Sequence, residues 1–155
     1  MSAAPGHRFM LNGRIVTSRA AGVARLADIL RDEFGVTGVK IGCNAGDCGA
    51  CTVLLDGRAV FACHTLAAQV DGVAVETIEG LAAGDDLHPL QAAFITHDAL
   101  QCGFCTPGII MALKAAVDSG VSADRAALAA AIAGNLCRCG AYEHIVDAAL
   151  SVVTG

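Results

Sequence analysis

The chain has 155 residues, of which 55% are hydrophobic and 4% aromatic, and its net charge is −5. This composition excludes a disordered chain, and the length suffices for one compact domain or two small ones. The acidic balance and the scarcity of rings argue against a nucleic-acid partner, which needs a basic face and base-stacking aromatics.

A membrane span and an export signal are both unexpected. The longest apolar stretches, 108–113 and 126–133, fall far short of the ~20 residues that a transmembrane helix requires. The first residues contain neither an apolar signal segment nor a twin arginine. We therefore expect no membrane span and a cytoplasmic location.

The first half of the chain, about residues 7–80, has the pattern of a small mixed sheet. The dipeptides Asn12-Gly13 and Asp56-Gly57 each separate two short apolar stretches, which is a strong hairpin signal. Residues 25–33 place Leu26, Ile29 and Leu30 on one helical face. The predicted strands are 8–11, 14–17, 52–55, 59–63 and 73–78.

The second half has a helical pattern and follows a connector at 79–87 that contains Gly and Asp. Pro89 and Pro107 suit the first turns of helices, and 122–124 resembles a helix start with an N-cap. Short connections between the helices predict a compact bundle of four. The predicted helices are 89–99, 107–118, 122–133 and 142–153.

Eight cysteines are the most unusual feature of the composition. Disulfide bonds, zinc sites and iron–sulfur clusters each account for such a density. Disulfides need an oxidising compartment, for which the sequence gives no signal. The cysteines are Cys43, Cys48, Cys51, Cys63, Cys102, Cys105, Cys137 and Cys139.

The first four cysteines have the spacing Cys-x4-Cys-x2-Cys followed by a more distant Cys63. This is the plant-type ferredoxin spacing for a [2Fe–2S] cluster, and thiolates are soft ligands that suit such clusters. Glycines at 42, 46 and 49 let the backbone approach inorganic sulfide and point its amides inward. The first half is therefore predicted to be a ferredoxin-type α+β domain. Its iron ligands are expected to be Cys43, Cys48, Cys51 and Cys63.

The spacing of the second four cysteines does not decide which kind of metal site they form. Cys102 and Cys105 lie in the loop before the second helix of the bundle, and Cys137 and Cys139 lie between the third and fourth. A helical hairpin brings these loops together. Four thiolates in this arrangement suit either a [2Fe–2S] cluster or a zinc ion.

Three stretches taken together resemble the iron–sulfur subunit of the molybdenum hydroxylases, the xanthine oxidase family. They are Gly-Cys-Asn-Ala-Gly-Asp-Cys-Gly-Ala-Cys-Thr-Val at 42–53, Gln-Cys-Gly-Phe-Cys-Thr-Pro-Gly at 101–108 and Gly-Asn-Leu-Cys-Arg-Cys at 134–139. The resemblance extends over about residues 8–152. Residues 87–98 additionally resemble the bacterial aldehyde oxidoreductase branch of the family.

The resemblance implies an α+β fold with two domains. Residues 1–80 are expected to form a plant-type ferredoxin (β-grasp) domain, and residues 81–155 a four-helix bundle carrying a second [2Fe–2S] cluster. Cys102, Cys105, Cys137 and Cys139 are then the ligands of that cluster. Gln101 is expected to hydrogen-bond the pterin of a molybdopterin cofactor held by a large partner subunit.

The resemblance also implies the reaction of the complex. A partner subunit hydroxylates an electron-poor carbon with oxygen from water, or oxidises an aldehyde. Electrons then pass singly through the two clusters to an FAD-binding medium subunit or a cytochrome. Aldehydes and N-heteroaromatics are the favoured substrates, and purines and carbon monoxide are the alternatives. This chain contributes no catalytic residue of its own.

Several neighbouring side chains carry weaker expectations. His64 stands where an aliphatic residue is common in the family; we expect it to lie at a helix start on the surface, with Cys63 as the ligand. The residues after Cys139 are Gly-Ala-Tyr, where many members have Thr-Gly-Tyr. Phe104 and Tyr142 are expected to shield the second cluster from water, which tunes its potential.

Two rival functions remain open from the sequence. A free-standing ferredoxin with two clusters needs a charged docking face, and only 16% of the residues are charged. A module with one [2Fe–2S] cluster and one structural zinc differs in its metal content.

Overall fold

The structure is a computed structural model that describes residues 6–155. Its first half is a five-stranded mixed sheet with the order β2-β1-β5-β3-β4. Strand β1 pairs parallel with β5, and the other neighbours are antiparallel. The strands are β1 (His7–Leu11), β2 (Arg14–Ser18), β3 (Thr52–Leu55), β4 (Arg58–Phe61) and β5 (Ala74–Glu76).

Both predicted hairpins are confirmed. Asn12-Gly13 and Asp56-Gly57 connect β1 to β2 and β3 to β4, and all four of these residues have positive φ. A two-residue turn of this type matches the twist of the flanking strands. The strand predicted at 59–63 ends earlier, because Ala62–His64 forms a short 3-10 turn. Two further 3-10 turns lie at Ala67–Gln69 and Ile78–Gly80.

The helix predicted at 25–33 is only partly α-helical. Helix α1 (Leu26–Asp28) continues as a π-helical turn over Ile29–Glu33. The three residues predicted to share a buried face, Leu26, Ile29 and Leu30, are buried against the sheet. The sequence misses the wider turn because a short apolar periodicity does not separate the rare π conformation from the α-helix.

The second half contains the four predicted helices. They are α2 (Pro89–Thr96), α3 (Thr106–Asp118), α4 (Arg125–Ala131) and α5 (Tyr142–Thr154). Helix α2 ends earlier than predicted, before Asp98, which has a positive φ of 50°. Helix α4 starts later, because Asp124 is extended and its carboxylate accepts a hydrogen bond from the Ala127 N–H. Within residues 6–155, no helix is long and apolar enough to cross a membrane.

Each half has its own hydrophobic core. The core of the sheet includes Phe9, Leu26 and Val53, and that of the helices includes Phe94, Ile109 and Leu128. The two halves meet where helix α3 lies on strand β3. An ion pair at 3.4 Å between Lys114 on α3 and Glu76 on β5 crosses the same boundary.

Backbone meets backbone at this boundary, with glycine on both sides. A Cβ on Gly108 would lie 2.5 Å from the carbonyl oxygen of Gly49, and a Cβ on Gly49 would lie 2.4 Å from that of Gly134. Gly49 also has a φ of +68°, which side chains rarely adopt. These residues lie in or next to the cysteine loops, so the contact holds those loops against each other.

We expect Gly108→Ala to destabilise the chain. The added methyl has to displace the Gly49 carbonyl, and overpacking of this kind costs about 1–3 kcal/mol, which outweighs the gain in helix propensity of about 1 kcal/mol. Thermal unfolding followed by circular dichroism measures the loss. Gly22→Ala is the matched control, since its nearest contact is an ordinary 3.5 Å. Equal melting temperatures for both variants would contradict the steric role of Gly108.

Candidate metal centre

The loop before β3 wraps its backbone around the Cys43 thiol. The Cys43 Sγ accepts hydrogen bonds from the N–H groups of Ala45, Asp47 and Cys48, each at 3.3 Å. The Cys43 N–H in turn donates to the Cys48 Sγ at 3.4 Å. The three donors stabilise a thiolate and lower the pKa of Cys43 to about 6.

Backbone conformation makes this cradle possible. Asn44 and Gly46 have positive φ values of 55° and 78°, which turn the intervening amides toward the sulfur. A Cβ on Gly42 would lie 2.9 Å from the Cys48 Sγ, so the space beside that sulfur depends on a glycine. Amides aimed at sulfur, with open space around it, suit a thiolate that binds an iron–sulfur cluster.

The fold brings Cys63 beside Cys51, although eleven residues separate them in the sequence. Cys51 directly precedes β3, and Cys63 lies in the 3-10 turn after β4. Both are buried, and burial raises the pKa of Cys51 to about 12, with the neighbouring Cys63 thiol adding to the shift. The hairpin of β3 and β4 therefore supplies the distant fourth thiol.

His64 is on the surface, as predicted, but it ends the short 3-10 turn rather than starting a helix. Its ring lies over the cysteine loop: a Cβ on Gly46 would be 3.0 Å from the His64 Nε2. Cys63 is the buried member of the pair. The burial of Cys63 beside Cys51 favours the Cys63 thiol over the imidazole as the fourth ligand.

The second four cysteines lie in two loops at one end of the helices. Cys102 is exposed after α2, and Cys105 directly precedes α3. Cys137 and Cys139 lie between α4 and α5. Burial raises the pKa of Cys105 to about 12, and the neighbouring Cys137 thiol adds to the shift, so the structure brings these two thiols together.

The pKa of the Cys137 thiol shifts in the opposite direction, to a value below its ordinary one. Burial acts to raise its pKa, but hydrogen bonding to the Ala141 backbone and to the Cys105 thiol outweighs burial and lowers it. As in the first set, amide donors thus face a sulfur that is partly shielded from water. The second loop pair therefore also fits thiolate ligands.

Tyr142, for which shielding of the second set was predicted, is half-buried and hydrogen-bonds the loop that contains Cys137. Its hydroxyl accepts a hydrogen bond from the Cys137 N–H at 2.8 Å and donates to the Asn135 carbonyl at 3.1 Å. Phe104, for which shielding was also predicted, is 46% exposed. Its ring lies near Gly42 of the first loop, where a Cβ would be 3.5 Å from its Cε1.

The two cysteine loops contact each other directly. The Leu136 N–H donates to the Cys48 carbonyl at 2.8 Å. The buried Asn135 amide donates to the Gly49 carbonyl at 2.9 Å and to the Thr52 hydroxyl at 3.1 Å. Nothing in the sequence assigned a role to Asn135 or Thr52, although both stand within the motifs quoted above.

A pocket of about 290 Å³ opens between the two loops. Its walls include Cys48 from the first set and Cys137 from the second, with Phe104 and Leu136 beside them. Gln101 is exposed next to Cys102. The second cysteine set therefore reaches the surface among exposed apolar side chains, of which Leu100 is 41% and Leu136 57% exposed.

Within residues 6–155, no three His, Cys, Asp or Glu side chains converge closely enough to hold one metal ion. A [2Fe–2S] cluster spreads its four thiolates over two irons and does not need such convergence.

Two family models match the chain, one for each cysteine set. A "2Fe-2S iron-sulfur cluster binding domain" matches residues 9–79, and a "[2Fe-2S] binding domain" matches residues 77–150. The first range contains Cys43, Cys48, Cys51 and Cys63, and the second contains the other four cysteines.

Curated relatives carry names from one class of enzyme. The nicotine 6-hydroxylase small subunit of Paenarthrobacter nicotinovorans is 48% identical over 140 residues, which are 90% of this chain and 84% of that protein. The aldehyde oxidoreductase of Megalodesulfovibrio gigas is 44% identical over 138 residues, covering 85% of this chain but 15% of that longer protein.

Solved structures show the same fold. A chain of quinoline 2-oxidoreductase from Pseudomonas putida 86 superposes with a TM-score of 0.92 at 40% identity, covering 98% of this chain and 94% of that one. The aldehyde oxidoreductase of Desulfovibrio desulfuricans superposes with a TM-score of 0.93 at 40% identity, covering 97% of this chain and 17% of that one.

The thiols of the metal-free chain should differ in reactivity. Above pH 6 Cys43 is mostly thiolate, whereas Cys51 and Cys105, with pKa values near 12, stay protonated at neutral pH. We expect iodoacetamide at pH 7 to alkylate Cys43 well before Cys51 and Cys105, as measured by peptide mass spectrometry. Lowering the pH to 5 should suppress the Cys43 reaction; labelling independent of pH would contradict the amide cradle.

Proposed function

The chain belongs to the iron–sulfur small subunits of the molybdenum hydroxylases, and on this basis we propose that its eight cysteines are the ligands of two [2Fe–2S] clusters. Its role is electron transfer within a heteromeric oxidoreductase that contains larger subunits. We also propose that the boundary between the two domains lies near residue 80.

The single observation that carries the ligand assignment is the first cysteine loop. Its three amides converge on the Cys43 sulfur, and the β3–β4 hairpin adds Cys51 and Cys63 as a neighbouring pair. We assign Cys43, Cys48, Cys51 and Cys63 to the first cluster. The loops around α3 and α4 support the assignment of the second cluster to Cys102, Cys105, Cys137 and Cys139.

When bound, the clusters supply one-electron carriage; the chain itself supplies their environment. Amide N–H groups stabilise negative charge on Cys43 and on Cys137, which favours the reduced state. Burial of Cys51 and Cys105 excludes water from the inner side of each set. Each cluster site therefore reaches from the surface into a dry core.

We propose that the second cysteine set faces the large molybdopterin-binding subunit. Gln101 and Cys102 are exposed there, and Leu100, Phe104 and Leu136 form an apolar surrounding that suits an obligate interface. In this arrangement the Gln101 amide hydrogen-bonds the pterin. The first set, with its exposed Cys43, then faces an FAD-binding subunit or a cytochrome.

The substrate of the complex is proposed to be an aldehyde or an N-heteroaromatic compound. This follows the names of the relatives, which include a nicotine hydroxylase, an aldehyde oxidoreductase and a quinoline oxidoreductase. Purines are the alternative, since a caffeine dehydrogenase subunit from Pseudomonas is 41% identical. We place the complex in the cytoplasm, where thiols stay reduced until clusters are inserted.

Metal analysis tests both clusters together. We expect about four irons and four sulfides per chain and no zinc, together with two distinct signals in the electron paramagnetic resonance (EPR) spectrum after dithionite reduction. Two irons with one zinc, or a single signal, would replace this proposal by a module with one cluster and a structural zinc.

Serine substitutions test the ligand sets separately. Cys48→Ser should remove the first EPR signal and about half the iron, and Cys137→Ser should do the same for the second signal, because hard hydroxyl oxygen binds iron of these clusters poorly. His64→Ala is the control and should retain both signals. Loss of the first signal in His64→Ala would instead make the imidazole a ligand.

Gln101→Ala tests the contact with the partner subunit. The exposed amide makes the chain's link to the pterin, so its loss should leave iron content and both cluster signals unchanged but slow cluster reduction by substrate in the assembled complex. Stopped-flow absorbance of the clusters measures this rate. Gln69→Ala, which removes a hydrogen bond from the Leu66 N–H in a 3-10 turn of the sheet domain, is the control. Equal reduction rates for both variants would remove Gln101 from the pathway.

A further inference from the structure

One buried amide joins the two cysteine loops. The Asn135 side chain is 4% exposed, and its Nδ2 donates to the Gly49 carbonyl at 2.9 Å and to the Thr52 hydroxyl at 3.1 Å. Gly49 lies between Cys48 and Cys51, and Asn135 is two residues before Cys137. A single side chain of the helical half thus holds the backbone of the first loop.

The next residue provides a second link. The Leu136 N–H donates to the Cys48 carbonyl at 2.8 Å, so consecutive residues of one loop bind consecutive residues of the other. Two adjacent hydrogen bonds resist both sliding and rotation of the loops. They also form a short bonded connection from the Cys48 thiol to the Cys137 thiol across the domain boundary.

Asn135 is itself held in place. Its N–H donates to the Ile132 carbonyl at 2.9 Å, and its carbonyl accepts from the Tyr142 hydroxyl at 3.1 Å. The same hydroxyl accepts from the Cys137 N–H. On the opposite side the Thr52 hydroxyl donates to the Gly49 carbonyl at 2.6 Å, which orients both acceptors of the Asn135 amide.

We propose that Asn135 is a positioning residue for electron transfer between the two clusters. It fixes the separation and orientation of the Cys48 and Cys137 sulfurs, and with them those of the groups that they bind. In each transfer one cluster is oxidised by one electron and the other is reduced by one, with no bond made or broken. Because tunnelling weakens steeply with distance, a loop junction that loosens slows this step. The inference rests on the proposed function.

A purely structural role for Asn135 makes a different prediction. Any buried amide needs hydrogen-bond partners, and its loss lowers stability whether or not the clusters interact. Melting temperature alone therefore does not separate the two roles. The magnetic interaction between two reduced clusters does, because it depends on their separation and relative orientation.

The decisive variant is Asn135→Asp in the full-length chain with both clusters. Aspartate has nearly the same shape but replaces the donor with a carboxylate that faces the Gly49 carbonyl oxygen. The control is Asn12→Asp, the same change at a part-buried joint away from the cysteine loops, where the Asn12 Nδ2 donates to the Thr77 hydroxyl at 2.9 Å. The measurements are iron content and low-temperature EPR of the fully reduced chain.

We expect the natural chain and Asn12→Asp to share one pattern of spin–spin splitting. Asn135→Asp should keep both cluster signals and the full iron content but lose that splitting. An unchanged splitting, even with a lowered melting temperature, would leave Asn135 a structural residue only and overturn the proposal. If the natural chain itself lacks four irons, the proposed function fails instead.

If Asn135→Asp does not retain its clusters, a milder variant tests the proposal. Thr52→Val keeps a β-branched residue in β3 but removes one of the two acceptors of the Asn135 amide. A splitting that is reduced in Thr52→Val supports the proposal, and a splitting identical to that of the natural chain contradicts it. Combining Thr52→Val with Asn135→Ala should give a non-additive loss of stability, since the two side chains share one hydrogen bond.

Discussion

The Gly49 carbonyl oxygen is the point on which the arrangement of the two halves depends. It accepts hydrogen bonds from the Thr52 hydroxyl and the Asn135 amide, and helix α3 approaches it so closely that only glycine fits at 108. A buried carbonyl needs such partners, and here they come from both halves of the chain. The Asn135 amide reaches this carbonyl only when the sheet and the helices dock in the observed orientation.

That orientation places a loop of the first cysteine set directly against a loop of the second. The loop that contains Cys48 and the loop that contains Cys137 meet through one main-chain hydrogen bond and through the buried Asn135 amide. A rigid backbone junction suits electron transfer, which needs fixed geometry and no moving part. The same docking leaves Cys43 exposed on one loop and Cys102 exposed on another.

The cysteine thiols lie in two contrasting environments, one that favours the charged form and one that favours the neutral form. Cys43 is exposed but surrounded by amide donors, so its charged form is favoured. Cys51 and Cys105 are buried, so without a bound metal their neutral form is favoured. In the proposed ligand assignment, metal binding has to displace those protons, which couples cluster insertion to deprotonation of the core thiols.

The sequence by itself determined the parts that depend on local chemistry. Cysteine spacing indicated the first cluster, Asn12-Gly13 and Asp56-Gly57 marked both hairpins, and the apolar periodicity located the four helices of the bundle. Their ends were missed by up to three residues, because Asp98 and Asp124 set the ends through backbone conformation and capping. Spacing alone left iron–sulfur and zinc open for the second set, and a family resemblance was needed to choose.

Only the tertiary structure decided which groups meet across long separations. It placed the Tyr142 hydroxyl on the Cys137 amide and buried Asn135 against Gly49. Neither contact leaves a periodic or spaced signal, because each depends on how separate segments of the chain pack together. Asn135 reads as an ordinary loop residue in the sequence, and it acquires its role only when the sheet and the helices close around it.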